Sequence, residues 1–135
     1  MIYYLDTNIC IYYLKGLYPE LFDRIHSYSI KEIKIASLVK AELLYGAAKS
    51  ERREDNTSKV EKFLLPFEII PFDDKAASIY ALIRAELTEK GTSVGPNDLI
   101  IASTVLANKG TLITNNEREF GRIPDLPIEN WTQTP

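Results

Sequence analysis

Three carboxylates and one acidic, amide-rich stretch stand where apolar runs give way to helical spacing: Asp6, Glu42, Asp98, and Asn115-Asn116-Glu117-Arg118-Glu119. Asp6 closes the run Met1-Ile2-Tyr3-Tyr4-Leu5, Asp98 lies just behind Gly95-Pro96, and Asn115 follows Thr111-Leu112-Ile113-Thr114. No histidine or cysteine accompanies them. Two carboxylates about 4 Å apart repel by roughly 4 kcal/mol at an effective dielectric near 20. Three or four of them must spread apart, hold protons, or hold a cation. Oxygen donors without imidazole or thiolate suit Mg²⁺ or Mn²⁺ rather than zinc. Such an ion activates water and neutralises charge on a phosphoryl group, which is the chemistry of phosphodiester hydrolysis.

The elements that would bring these residues together alternate. Residues 2–5 read as a short buried strand and 7–14 as a helix stopped at Lys15-Gly16. Residues 18–27 carry Leu21, Phe22 and Ile25 at helical spacing. Residues 33–36 read as a second strand, and Ser37 as the cap of a helix over 38–49. Residues 50–58 are polar throughout and read as a solvated connection. A helix resumes over 59–65 until Pro66, and 68–72 read as a third strand. The clearest helix spans 74–90, with Ala76, Ile79, Tyr80, Ile83 and Leu87 on one stripe. Pro96 opens an almost wholly apolar helix ended by Gly110. Residues 111–114 form a fourth strand and 127–129 a fifth. This alternation predicts an α/β chain, a parallel sheet of four to five strands covered on both faces by helices. Residues past the carboxyl ends of such strands converge on one crevice.

Taken singly, each acid has an ordinary explanation. Asp6, with Thr7 and Asn8, can cap a helix, as can Asp98 beside Asn97, and a carboxylate is favoured at the positive end of a helix dipole. Glu42 can be a solvated face residue, and Glu117 and Glu119 first-turn acids of a short helix through Phe120. Taken jointly, these explanations weaken, because each acid follows a different strand or lies in the helix after one. His26 sits in a helix away from every strand end, and Cys10, between Ile9 and Ile11, reads as a small core hydrophobe.

Length and composition fit this frame. The 135 residues make a single domain over 1–135, large enough to bury roughly two-thirds of its unfolded surface. With 45% hydrophobic and 26% charged residues, the balance is that of an ordinary globular protein. One cysteine excludes an internal disulfide and a thiolate zinc site. Apolar runs are too short to span a bilayer, and no signal peptide is visible at the N-terminus, so a cytoplasmic location is expected. A net charge of −3 argues against a polyanionic partner, although a carboxylate cluster contributes to that deficit and a bound cation reverses it locally.

Four segments in order carry a resemblance. Leu5-Asp6-Thr7-Asn8, Glu42-Leu43-x-x-Gly46, Gly95-Pro96-Asn97-Asp98-x-x-Ile101-Ala102 and Thr114-Asn115-Asn116-x-Arg118-Glu119-Phe120 resemble PIN-domain ribonucleases, in particular the VapC-type toxins of bacterial toxin–antitoxin pairs. The likeness covers nearly the whole chain, to Ile128-Glu129-Asn130-Trp131. It implies a three-layer α/β/α fold and a Mg²⁺- or Mn²⁺-dependent endoribonuclease. Asp6, Glu42 and Asp98 match the family's principal acids and metal ligands. Where many relatives place a further Asp, this chain has Asn116, and relatives of this form use the later acid, here Glu119, with Glu117 behind it. That departure leaves one metal or two as an open question. Thr7, Asn8, Thr114, Asn116, Glu117 and Arg118 are supporting candidates. The resemblance also implies an RNA substrate, with initiator tRNA the subgroup's target, a cognate antitoxin, a homodimer, DNA contact only through the antitoxin, and no membrane. An RNA path needs cations, for which Lys40, Lys49, Arg52, Arg53, Arg84 and Arg118 are candidates; Arg118 could instead pair with Glu119.

Two other classes compete. A phospho-receiver module would place its acceptor at Asp73 or Asp74 after the third strand, but lacks a suitable Lys after the fourth or fifth. A metal-free interaction domain would have all its acids serving as caps. A haloacid-dehalogenase-like phosphatase is disfavoured by Asn8 and by the short chain.

Overall fold

The computed structural model describes residues 1–133. Strands β1 (Tyr3–Leu5), β2 (Ile33–Ala36), β3 (Glu68–Ile70), β4 (Thr111–Ile113) and β5 (Ile128–Glu129) form one sheet in the order β3-β2-β1-β4-β5. Every pairing is parallel, with Tyr3 opposite both Ile33 and Thr111. Helices α1 (Thr7–Leu14), α2 (Pro19–His26), α3 (Ser37–Ala48), α4 (Arg53–Leu64), α5 (Asp74–Glu89), α6 (Pro96–Ala107) and α7 (Glu117–Phe120) complete the expected α/β/α arrangement. Leu5, Ile9, Ile35, Val39, Ala102, Val105, Leu112 and Ile113 are fully or almost fully buried. They are the core on which the strand ends rest.

The strand order fixes where a site can form. From β1 the chain moves outward to β2 and β3 on one side, then returns to β4 and β5 on the other. The switch point therefore lies between β1 and β4, where the Asp6 N–H donates to the Ile113 carbonyl at 3.0 Å. A crevice outside the carboxyl ends of the strands opens at that place.

Several boundaries differ from the sequence reading, each for a local reason. Residues 53–58 are helical rather than a solvated connection, because α4 begins at Arg53. Arg53 Nε donates to the Ala48 carbonyl at 2.6 Å, Asn56 Nδ2 to Ser50 Oγ at 2.9 Å, and Glu54 and Asp55 occupy the positive first turn. Ser37 is the first residue of α3, and Ala36 takes the cap position without a side-chain bond. β3 stops at Ile70, before Pro71, which has no N–H for the ladder. β4 stops at Ile113 and β5 starts at Ile128. Gly110 meets a steric need, since a Cβ there would run into the buried Tyr4 ring. Trp131, fully buried, stacks on Tyr28 at 5.0 Å and packs against Tyr3 of β1 at 5.1 Å.

Candidate active site at the carboxyl edge of the sheet

Asp6 leaves β1 and caps α1. Its Oδ1 accepts from the Ile9 N–H at 2.8 Å, so the capping explanation holds for this residue. The cap does not exhaust it. Asp6 is 4% exposed, and burial pushes its carboxyl from 3.8 up to about 6, against bonds from Thr114 and the Ile9 N–H that favour the charge; Glu42 raises it further. Thr114, buried at the end of β4, thus bonds Asp6 while its Oγ1 accepts from the Asn116 N–H at 3.0 Å.

Glu42 lies in the second turn of α3, half-buried rather than on a solvated face. Thr7 Oγ1 donates to its Oε1, and Asn97 Nδ2 reaches its Oε2 at 3.3 Å. It therefore draws together the starts of α1, α3 and α6. Asn8, by contrast, is exposed and makes no side-chain bond among the described residues.

Asp98 follows no strand directly, contrary to the pattern read from the sequence: α5 intervenes between β3 and α6. It reaches the same edge because α6 must deliver the chain to the amino end of β4. An antiparallel crossover helix therefore has to begin at the carboxyl edge. Gly95, not Asp98, is the N-cap of α6, so Asp98 is not a cap. Burial lifts its carboxyl from 3.8 to about 7, with the Glu119 charge, a bond to Glu119, and the Glu42 and Asp6 charges adding to the effect.

Glu119 is held from several sides. Its Oε1 accepts from the Gly95 N–H at 2.9 Å, which with the Asn116 bond keeps its carboxyl below the usual range. Asn116 Nδ2 donates to its Oε2 at 2.9 Å. Asn116 thus acts on Glu119 through the amide that a carboxylate at this position could not supply. Glu117 points elsewhere: its Oε2 accepts from Asn130 Nδ2 at 3.4 Å. Arg118 is exposed and forms no ion pair with Glu119 within 4 Å. Arg122, overlooked in the sequence because it falls outside the motif, lies close enough to help hold the Glu119 charge and donates to the Ser93 carbonyl at 2.9 Å. Asp73 accepts from the Ala76 N–H at 3.0 Å and caps α5, which gives the receiver-like acceptor a plain structural role.

Asp98 therefore feels the charges of Asp6, Glu42 and Glu119, and Asp6 that of Glu42, at one mouth. The donor set is oxygen only, the chemistry of a hard divalent cation. Among the described residues, however, no three acidic, His or Cys side chains stand together as a preformed ion cage. Thr7, Asn97, Asn116 and the Gly95 N–H hold the carboxylates by hydrogen bonds instead.

A sheet of this order, with acids at its switch point, defines a class that comparison with known proteins identifies. The PIN domain model matches residues 3–126, and the chain belongs to the PIN domain family. Members of that family with ribonuclease activity generally depend on a divalent metal. Within it, the chain is 46% identical to Ribonuclease VapC2 of Rickettsia felis, over 97% of this chain and 98% of that protein. It is 42% identical to the tRNA(fMet)-specific endonuclease VapC of Salmonella typhimurium, over 94% and 96% of the two chains. Among solved structures it superposes on VapBC2 from Rickettsia felis bound to a DNA fragment from its promoter. The TM-score there is 0.91, with 45% identity and coverage of 97% and 99%.

Proposed function

We propose that this chain is a VapC-type toxin, one PIN domain over 1–135, that cuts a phosphodiester bond in structured RNA, initiator tRNA foremost. Asp6, Glu42, Asp98 and Glu119 are its catalytic acids, and the first three hold Mg²⁺ or Mn²⁺. The endoribonuclease class follows from the family and from relatives named as ribonucleases; the tRNA target rests on the Salmonella relative's name. The observation that carries the site is the electrostatics of Asp98. Its carboxyl is raised to about 7 by burial, by Glu119, and by the Glu42 and Asp6 charges, so Asp98 is held partly protonated near neutral pH and positive charge at this mouth would favour its ionisation.

When bound, the ion supplies Lewis acidity toward water and toward the phosphoryl oxygens. The chain's own residues set the stage for it. Thr114 fixes the Asp6 carboxyl, Thr7 and Asn97 fix Glu42, and Asn116 with the Gly95 N–H fixes Glu119. Asp6, Glu42 and Asp98 would hold the ion, while these donors orient the Asp6 and Glu42 carboxylates at the mouth. Asp98, whose carboxyl is raised by burial and by Glu119, would be favoured in its ionised form by a cation at this mouth.

A cognate antitoxin is the regulatory partner, as in the VapBC complex of Rickettsia felis, and DNA is reached only through it. A groove of about 670 Å³, floored by Tyr13, Phe63 and Phe67 and edged by Lys59 and Lys62, suits an amphipathic segment of such a partner. The toxin works as a homodimer in the cytoplasm; no described helix is long and apolar enough to cross a membrane. The test is end-mapping of total RNA after brief induction, beside the Asp6→Asn variant. New ends confined to structured RNA and absent with the variant support the reading; identical RNA profiles contradict it.

A further inference from the structure

We infer that Arg118 and Arg122 form a phosphate-binding subsite for the RNA backbone, at the rim of the acidic mouth and distinct from the residues that hold the metal. The inference rests on the nuclease reading above and specifies where that substrate is gripped. A cavity of about 360 Å³ opens beside Glu119, walled by Ser93, Gly95, Asn116, Arg118, Glu119 and Arg122. The two arginines stand four residues apart, across α7 and the turn that follows. Both are exposed, and neither forms an ion pair within 4 Å among the described residues. Arg122 is anchored, because its Nη1 donates to the Ser93 carbonyl at 2.9 Å.

Carboxylates at Asp6, Glu42, Asp98 and Glu119 repel the phosphates that flank the one at the metal, so those phosphates need a cationic rim. Three of the other cations suggested by sequence are engaged with helix groups nearby. Arg53 bonds the Ala48 carbonyl, Lys49 lies over the Tyr45 ring at 5.1 Å, and Arg84 bonds the Tyr80 hydroxyl. Guanidinium forks match the two non-bridging oxygens of a phosphodiester. The Arg118–Arg122 pair is therefore placed to seat a phosphate flanking the one that is cut.

The experiment measures binding of a fluorescein-labelled RNA stem-loop by anisotropy across a salt series, with Mn²⁺ present. The Asp6→Asn background keeps the RNA uncut. Each phosphate contact contributes about 0.7 to the slope of log affinity against log salt. Arg118→Ala with Arg122→Ala should weaken binding about tenfold and lower that slope by about 0.7, one phosphate contact. Arg118→Ala alone leaves Arg122 on its Ser93 anchor and should lower the slope by less than the double variant, at an unchanged melting temperature. Arg118→Lys with Arg122→Lys should keep the slope. Lys31→Ala, at the amino end of β2 on the opposite edge, should change neither affinity nor slope. A parent that binds, with the double alanine variant equal to it in affinity and slope, overturns the subsite alone. A wild-type chain that leaves RNA intact, with a parent that fails to bind it, overturns the nuclease reading as well.

Discussion

Replacing Asp6 by Asn should make the metal-free protein more stable at neutral pH, while removing its activity. Asp6 is almost fully buried, and burial raises its carboxyl from 3.8 to about 6. The folded value lies above the unfolded one, so ionisation opposes folding. The penalty is absent below about 3.8, grows as pH rises toward 6, and is complete above it. At roughly 1.4 kcal/mol per pH unit, this amounts to about 3 kcal/mol at pH 7.5. Asn keeps the shape and the capping oxygen that accepts from Ile9, and Thr114 can accept from its amide, so little is lost in exchange. An increase of about 1 to 3 kcal/mol is expected, or on the order of 5 to 10 °C in melting temperature. The assay is thermal or urea denaturation in EDTA at pH 7.5 and again at pH 4.5, where the advantage should shrink to about a third. An Asp6→Asn protein no more stable than the parent at pH 7.5, or equally advantaged at both pH values, would refute the claim that a buried charge is held there at a cost.

Other outcomes follow from the same geometry. Asp98→Asn or Glu42→Gln should reduce RNA cleavage by at least about a hundredfold with the fold intact, as judged by circular dichroism. Asn116→Asp should replace a donor to Glu119 with a repelling charge, raising the Glu119 carboxyl and lowering the metal-free melting temperature; an unchanged melting temperature would show that the Asn116 bond does not position Glu119. Since Asp6 and Asp98 must be ionised to act as ligands, apparent Mn²⁺ affinity should fall at least about tenfold between pH 8 and pH 5.5, the acid side of both raised values. Gly110→Ala should cost about 1 to 3 kcal/mol by forcing Tyr4 out of its place, measured by urea denaturation.

Much of the fold was legible because its signals are local. Pro96 at the first position of α6, the stripe Ala76-Ile79-Tyr80-Ile83-Leu87 on α5, and the strand-forming runs 2–5 before Asp6 and 111–114 before Asn115 each mark an element locally. The start of α4 was not legible. Residues 53–58 are polar on every side, and what makes them helical is tertiary: the Ala48 carbonyl waiting for Arg53 and Ser50 for Asn56. Among the acids, the order along the chain placed them at strand ends, but Asp98 arrives by the direction of α6 rather than by following a strand. The network between them was invisible. Nothing in the spelling of Asn115-Asn116 says that the second amide holds Glu119, that Thr7 and Asn97 hold Glu42, or that Arg122 lies beside the cluster. Such contacts depend on which side chains face each other across the crevice, and sequence spacing does not encode that.

The central claim is that these carboxylates demand a divalent cation, and calorimetric titration of Mn²⁺ into the metal-free protein at pH 7.5 tests it most directly. Saturable binding to the parent, weakened at least about tenfold by Asp98→Asn, is the predicted result. No heat, no rise in melting temperature with Mn²⁺ or Mg²⁺, and equal behaviour of parent and variant would contradict it.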